Sequence, residues 1–329
     1  MRQTANDKKK NEVNTHGRLR EILSILGKHK IVKGMSPEKL RLIIEDLGPT
    51  FVKLGQIMSM RHDILPGEYC SELTKLRSDV HLMDFAEVKK QIESEYGCDL
   101  ADLFSEFSKE PLGAASIAEV HAAKLLSGEK VVVKVQRPGI HDIMQRDIRL
   151  LHKAAGILKV ATPVGNIVDF NMILDEMWFV AQQEMDFLME ARNAEEFAEL
   201  NRNVACVACP YIKDEYTTAK VFIMEYVDGI PIDKTDALVS EGYDLKEIGE
   251  KLTGHYMKQV VEDGFFHADP HPGNIRIRDG KIVYIDMGMM GRISSRDREL
   301  FKKAIVCAIN HGMVKPMVVI VHTYTEPIY

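Results

Sequence analysis

Apolar residues along this chain recur at helical spacing over roughly the first hundred positions. They bunch into short runs in the middle and return to the helical period towards the end. Ser36-Pro37-Glu38 predicts a helix start, with a capping serine and a proline at the first helical position, and Leu40, Ile43, Ile44 and Leu47 follow at the helical period. A second helix is expected from about Pro49 to Met60 with Phe51, Leu54 and Met58 inward. A third is expected from Asp84, with Val88, Ile92 and Tyr96 at steps of four and Gly97 as its stop. Val120 to Leu125 and Val131 to Gln136 read as strands joined at Ser127-Gly128-Glu129 and closed by Pro138-Gly139. Helical pattern runs from Ile140 to about Leu158 and again, as one stretch, from about Met172 to Leu200. A strand follows near Ala219 to Tyr226, ending at Asp228-Gly229. Ile248, Leu252, Tyr256 and Val260 share one face of a helix that Gly264 ends. Ile275 to Ile277 and Ile282 to Ile285 read as a hairpin across Asp279-Gly280, and Ser294-x-x-Asp297 as the capping box of a last helix.

These elements divide the chain into a polar tail over 1–15, a helical segment over 16–105, a small α+β lobe over 106–228 and a mainly helical lobe over 229–329. The tail is Lys-rich and also carries Asp7 and Glu12, so it reads as disordered rather than as a secretory signal or transit peptide. The last segment stops soon after its final helix, early for a complete lower lobe.

Composition narrows the class without naming a function. The 329 residues are 45% hydrophobic and 28% charged, as in ordinary soluble proteins, and the formal net charge of -6 gives no reason to expect nucleic-acid binding. No apolar run reaches the length of a membrane-spanning helix. The five cysteines suggest no disulfide framework and fit a reducing compartment. Cys206-x-x-Cys209 lacks further zinc ligands nearby and reads as a buried strand or its edge.

The candidate chemistry starts at His267-Ala268-Asp269-Pro270-His271-Pro272-Gly273-Asn274. Asp269 stands five positions before Asn274, and Asp286-x-Gly288 follows a dozen residues later. Protein kinases use this spacing for a base and two metal ligands, and phosphoryl transfer asks a protein mainly to position phosphates and neutralise charge. Asp269 could orient an acceptor hydroxyl, while Asn274 and Asp286 offer oxygen ligands to Mg²⁺. The predicted hairpin would bring those two ligands together. The rivals are a polar loop with no role and an H-x-D-x-H metal site of a hydrolase. Lys134 lies in the apolar run Val131 to Val135, costly for a cation without a partner and suited to gripping phosphates. Its acidic partner would come from Glu184, Asp186 or Glu190, among which composition does not choose. Gly113-Ala114-Ala115-Ser116 occupies the place of a glycine-rich phosphate loop, but with only one glycine it should be less free to fold over a γ-phosphate.

Four marks together resemble the UbiB family of atypical protein-kinase-like proteins, also described as coenzyme Q-associated kinases. They are Lys53-Leu54-Gly55-Gln56 (the family's K-x-G-Q), the alanine-rich loop Gly113 to Ser116, Glu184-Met185-Asp186 (its E-x-D), and the set from His267 to Asn274 with Asp286. The resemblance runs from about Glu45 to about Arg292. It implies an α+β, bilobal protein-kinase-like fold with an N-terminal helical extension. It implies a phosphate-gripping pair of Lys134 and Glu190, Mg²⁺ held by Asn274 and Asp286, and ATP or ADP as the nucleotide. It also implies a helix carrying Lys53 and Gln56 that closes the peptide groove, with Lys53 meeting Glu184 and Asp186. Backbone groups of Glu225 and Val227, in the stretch Val221 to Val227, would bind adenine as kinase hinges do.

The function implied is a Mg-dependent ATPase supporting ubiquinone or other isoprenoid-lipid synthesis, with no peptide substrate. Its partners would be an isoprenoid lipid or membrane surface and enzymes of that synthesis, and its place cytoplasmic, membrane-associated in a longer bacterial protein of which this chain is a C-terminally truncated part. The alanine loop departs from the family by beginning with Gly113 where alanine is more usual. The alternatives are a small-molecule kinase of the choline or aminoglycoside type, which shares H-x-D-x-x-x-x-N, and a nucleotide-sensing scaffold without turnover.

Overall fold

A computed structural model describes residues 17–29, 35–59, 61–62, 64–76, 82–161 and 170–310. The tail over 1–15 and the last stretch over 311–329 lie outside the described residues. The chain divides into two compact units: one takes in Met1–Leu100, Ser108–His121 and Lys134–Met185, the other Ala101–Phe107, Ala122–Val133 and Asp186–Tyr329.

The first unit is mainly helical. Its elements are α1 over 17–28, α2 (Pro37–Leu47), α3 (Pro49–Ser59), α4 (Gly67–Leu73), α5 (Phe85–Tyr96), α6 (Ile140–Ala161) and α7 (Phe170–Glu184). The start signals act as the sequence predicts. The Ser36 side chain accepts from the Lys39 N–H, and the Asp84 carboxylate accepts from the Ala86 N–H. Gly97 ends α5 in the left-handed region at φ 70°. Leu54 and Ile57 of α3 pack with Ile148 of α6 and Met177 of α7, and Val52 packs with Leu73 and Leu76. Asp147 of α6 is fully buried and is held by Arg18 of α1 through contacts of 3.1 and 2.9 Å.

Gly55 is the position where α3 most needs a missing side chain. A Cβ there would overlap Leu76 Cδ1 and lie 3.2 Å from two Ile44 atoms. Gly55→Ala is therefore expected to destabilise the chain by about 1–3 kcal/mol, as overpacked cores do, read as a lower urea midpoint with an unchanged slope.

The second unit holds α8 (Phe187–Leu200), α9 (Thr235–Ser240), α10 (Leu245–Lys258), α11 (Ser295–Asn310) and most of the sheet structure. One sheet has the order β1-β3-β4-β6, from β1 (Phe104–Phe107), β3 (Ala118–Leu125), β4 (Lys130–Gln136) and β6 (Val221–Glu225), with β2 (Gly113–Ala114) paired to β3. Within it, β2, Ala118–His121 and Lys134–Gln136 are counted with the first unit. A four-stranded sheet runs β5-β10-β9-β7, from β5 (Val207–Ala208), β7 (Ile230–Pro231), β9 (Ile275–Arg278) and β10 (Lys281–Tyr284). A last pair joins β8 (Phe265–His267) to β11 (Met290–Arg292). The hairpin of β9 and β10 turns at Asp279 (φ 51°) and Gly280 (φ 68°). Positive φ at both central residues is the two-residue turn that matches strand twist.

The structure corrects three expectations. The stretch from Met172 to Leu200 is two helices, not one. Asp186 sits extended between them and accepts the Leu188 N–H as the cap of α8, while Gln136 Nε2 donates to the Met185 carbonyl at 2.6 Å. The short strand β1 starts at Phe104, inside the segment over 16–105 read as helical, and ends beyond it at Phe107. The buried stripe of α10 runs through Ile248, Lys251 and His255 and on to Gln259, rather than through Leu252, Tyr256 and Val260.

Candidate functional site

The candidate residues fall into two groups, one in each unit. In the second unit, β8 delivers His267 to a loop built by its own side chains. The Asp269 N–H donates to His267 Nδ1 at 3.1 Å, which places the imidazole proton on Nε2. Burial holds His267 below the ordinary histidine value, with Asp286 opposing, so the ring is neutral. The Asp269 carbonyl accepts from the His271 N–H at 2.7 Å and from Asn274 Nδ2 at 3.3 Å. Using the amide nitrogen this way turns Asn274 Oδ1 away from the Asp269 carbonyl. His271 Nδ1 accepts the Gly273 N–H at 3.1 Å. Each histidine of H-x-D-x-H thus spends Nδ1 on its own backbone. That arrangement speaks against the hydrolase metal site.

The hairpin joins the two proposed metal ligands as the sequence predicts. The Ile285 N–H donates to the Asn274 carbonyl at 2.9 Å, directly beyond the pair Ile275 and Tyr284, so Asn274 and Asp286 stand at adjacent strand ends. Asp286 Oδ1 accepts the Gly288 N–H at 2.8 Å. Helix α8 approaches the same turn: Asn193 Nδ2 donates to the Met287 carbonyl at 3.0 Å, and Glu190, one turn earlier, is buried. A Cβ on Gly288 would lie 3.1 Å from Asp286 Oδ1 and 3.6 Å from Glu190 Oε2, so both carboxylates crowd one glycine. The donors are all oxygens, a set that suits a hard cation such as Mg²⁺.

Sequence reasoning missed the support beneath this loop. Between α10 and β8 the helix widens into a π-turn over Gln259–Asp263, a distortion common at functional sites. Gln259 Oε1 accepts the His267 N–H at 2.9 Å, and the Tyr256 hydroxyl donates to the His267 carbonyl at 3.2 Å. Gln259 Nε2 reaches His255 Nδ1 at 3.1 Å and the Tyr284 hydroxyl at 3.3 Å, and His255 Nε2 meets Asn201 Oδ1 at 2.8 Å. Gln259, His255 and Tyr284 are fully buried. The only signal for this network is a polar residue at steps of four, Lys251, His255 and Gln259, which apolar periodicity passes over.

In the same unit, Glu225 has its N–H committed to the Tyr211 carbonyl at 2.8 Å and its carboxylate to Arg278 at 2.5 Å, so an adenine contact there falls to its carbonyl. Val227 is buried. Burial pushes the Cys206 thiol up and the Cys209 thiol to about 11, so both stay protonated at neutral pH.

In the first unit, Lys53 forms an ion pair with Glu184, both side chains little exposed, and Glu184 Oε1 is buried with no hydrogen-bond partner among the described residues. Gln56, one turn on, donates to the Leu76 carbonyl at 3.3 Å. The resemblance pairs Lys53 with both acids of E-x-D; of these, Glu184 lies in the same unit and pairs with it, and Asp186 Oδ1 accepts the Leu188 N–H at the start of α8. Lys134 is half-buried among fully buried valines of β4. The loop from Gly113 to Ser116 pairs antiparallel with β3, Gly113 opposite Val120 and Ala114 opposite Glu119. Gly113 has open space where a Cβ would go, so the alanine more usual in the family would fit there.

Comparison with known proteins bears on the family and the fold. Residues 75–316 match the family model of the ABC1 atypical kinase-like domain. A Clostridium pasteurianum protein named for the hydrogenase 1 5' region is 43% identical over 285 residues, 87% of this chain and 54% of that protein. A probable protein kinase UbiB of Marinobacter nauticus is 36% identical over 281 residues, 82% of this chain and 50% of that protein. The chain thus spans about half the length of these relatives. The solved structure of Rv3197 with erythromycin, from Mycobacterium tuberculosis, shares the fold at a TM-score of 0.55 and 24% identity, over 78% of this chain and 68% of that one. The α+β, kinase-like fold follows from these matches.

Proposed function

This chain belongs to the UbiB family of ABC1 atypical kinase-like proteins, and from that footing we propose that it binds ATP or ADP with Mg²⁺ and turns ATP over slowly in support of ubiquinone or other isoprenoid-lipid synthesis. The observation that carries the reading is the hairpin that sets Asn274 beside Asp286, with Glu190 against the same glycine. Asn274 Oδ1 and the Asp286 carboxylate would hold Mg²⁺, which would neutralise the β- and γ-phosphates. Lys134 would grip the α- and β-phosphates and pair with Glu190. Of the three acids weighed for that pairing, Glu184 is engaged by Lys53 and Asp186 caps a helix, which favours Glu190. The Glu225 carbonyl and Val227 N–H would take adenine, and residues 113–116 would border the phosphates.

Asp269 is exposed and would align the attacking group, a water or a small lipid-like hydroxyl. Exclusion of peptide substrates is assigned to α3, whose Lys53–Glu184 pair holds it in place. The partners implied are an isoprenoid-lipid or membrane surface and enzymes of lipid synthesis. Among the described residues no helix is long and apolar enough to cross a membrane.

The test is ATP turnover with Mg²⁺ or with chelator, each with and without vesicles containing isoprenoid lipid. Turnover above that of the Asp286→Asn chain, dependent on Mg²⁺ and increased by the vesicles, is the expected result. Background turnover under every condition overturns the ATPase reading, and vesicle-independent turnover overturns the lipid link alone.

A further inference from the structure

Strand β9 follows directly on Asn274, and its two faces differ. Ile275 and Ile277 lie in the core, while Arg276 and Arg278 stand together on the other face. Both arginines reach the segment that leaves β6. Arg278 Nη1 donates to Glu225 Oε1 at 2.5 Å, and Arg276 Nη1 donates to the Gly229 carbonyl at 2.9 Å. Gly229 lies against the strand between them. A Cβ there would stand 2.9 Å from the Ile277 carbonyl oxygen, and 3.2 and 3.3 Å from the Cβ atoms of Arg278 and Arg276. The strand β7 then begins, with Ile230 opposite Ile277 and Pro231 opposite Arg276. All of these residues belong to one unit.

A partly exposed ion pair by itself contributes little to stability. These two bonds act instead on one short piece of backbone. Tyr226, Val227 and Asp228 have no regular secondary structure and lie between the two fastened points. The Tyr226 N–H donates to the Lys130 carbonyl at 3.2 Å, and because the peptide is planar and trans this directs the Glu225 carbonyl away from β4. Glu225 Oε2 also accepts the Tyr211 N–H at 3.2 Å. The start of the segment is thus set by β4 and Tyr211, and its far end by β9. A purine with a 6-amino group presents a donor beside a bare ring nitrogen. A 6-oxo purine presents an acceptor beside a ring N–H. A carbonyl and an N–H held at fixed positions match the first and oppose the second, whereas a segment free to turn would accept either.

We propose that Arg276 and Arg278 are positioning residues that fasten residues 225–229 to β9 and thereby make the site select a 6-amino over a 6-oxo purine. The proposal rests on the nucleotide reading above, in which the Glu225 carbonyl and the Val227 N–H take the base. It adds the side chains that hold those two groups in place.

The experiment measures dissociation constants for the magnesium complexes of ATP and inosine triphosphate, whose bases differ only along that edge. Displacement of a fluorescent nucleotide from the full chain gives them for wild type, Arg278→Gln, Arg278→Lys, Arg276→Gln and Arg292→Gln. Arg292 pairs with Glu196 between β11 and α8 of the same unit, so its variant controls for the loss of an arginine–carboxylate pair as such. The wild type is expected to favour ATP. Arg278→Gln and Arg276→Gln should each lower the ratio Kd(MgITP)/Kd(MgATP) by roughly three- to tenfold, the worth of one hydrogen bond. Arg278→Lys, which keeps a charge for Glu225, should lower it less, and Arg292→Gln should leave it unchanged. If the glutamine variants fail to fold, Arg278→Lys decides. A wild-type ratio in a folded Arg276 or Arg278 variant, or an equal shift in Arg292→Gln, overturns this proposal alone. A wild-type chain that binds both nucleotides equally overturns the assignment of Glu225 and Val227 to the base, and this proposal with it. Failure to bind either nucleotide overturns the nucleotide reading as a whole.

Discussion

Replacing Asp286 by Asn is expected to reduce Mg-dependent ATP turnover by about a hundredfold or more while leaving the fold intact. The substitution keeps an oxygen where Oδ1 accepts the Gly288 N–H, so the turn after β10 retains its hydrogen bond. What is lost is the charge that a divalent cation would pair with. Glu190 sharpens the expectation. Its carboxylate and that of Asp286 both lie within 4 Å of the point where a Gly288 side chain would begin, so two negative charges converge there. Lys134, proposed above to pair with Glu190, would offset part of that charge, and a divalent cation between the two carboxylates would offset the rest. Without metal, Asp286→Asn should melt close to the wild-type temperature. With Mg²⁺ and nucleotide, the wild type should gain stability by mass action and the variant should gain little. Turnover and melting temperature, measured with and without Mg²⁺, read both effects. A variant that keeps Mg-dependent turnover would move the metal away from Asp286.

The parts of this site legible in the sequence are those set by local chemistry. Asp279-Gly280 can adopt positive φ twice, so the β9–β10 hairpin and the meeting of Asn274 with Asp286 follow from the chain itself. Asp84 and Gly97 mark the ends of α5 for the same reason. What was not legible depends on partners far along the chain. The break between α7 and α8 is supported by Gln136 on the Met185 carbonyl, forty-nine positions away, and nothing in the sequence from Met172 to Leu200 announces it. The buried carboxylate of Glu119 accepts from Met83 and Arg137, so that three separate segments meet there. The polar stripe of α10 was hidden for a different reason: reading helices by apolar period assigns polar residues to solvent, and this helix buries Lys251, His255 and Gln259 instead. A buried polar stripe is tolerated only when every member is bonded, as the contacts of His255 and Gln259 with Asn201, Tyr284 and the His267 backbone illustrate.

That stripe makes the chain sensitive to acid in a predictable window. Burial pushes the His255 imidazole down to about 3, with Lys258 adding to the effect, against an ordinary value near 6.5. Its folded pKa is therefore depressed. Below about pH 6.5 the unfolded chain takes up a proton that folded His255 refuses, so stability falls as pH drops from about 6.5 towards 3, by about 3–5 kcal/mol in all. His255→Gln removes the titration yet keeps an amide able to donate and accept. At pH 7.5 the variant should be less stable than wild type by about 1–3 kcal/mol, the cost of imperfect bonds to Asn201 and Tyr284. The wild type then loses up to about 1.4 kcal/mol for each pH unit below 6.5 that the variant does not lose. The two stabilities should meet near about pH 5, with the variant the more stable below it. Urea denaturation of both chains from pH 7.5 to pH 4.5 gives the comparison, and groups that titrate alike in both cancel in the difference. Parallel curves would mean that His255 does not carry the acid sensitivity. Convergence would identify it as the residue through which acid first loosens the support under His267 and, with it, the loop that carries Asp269.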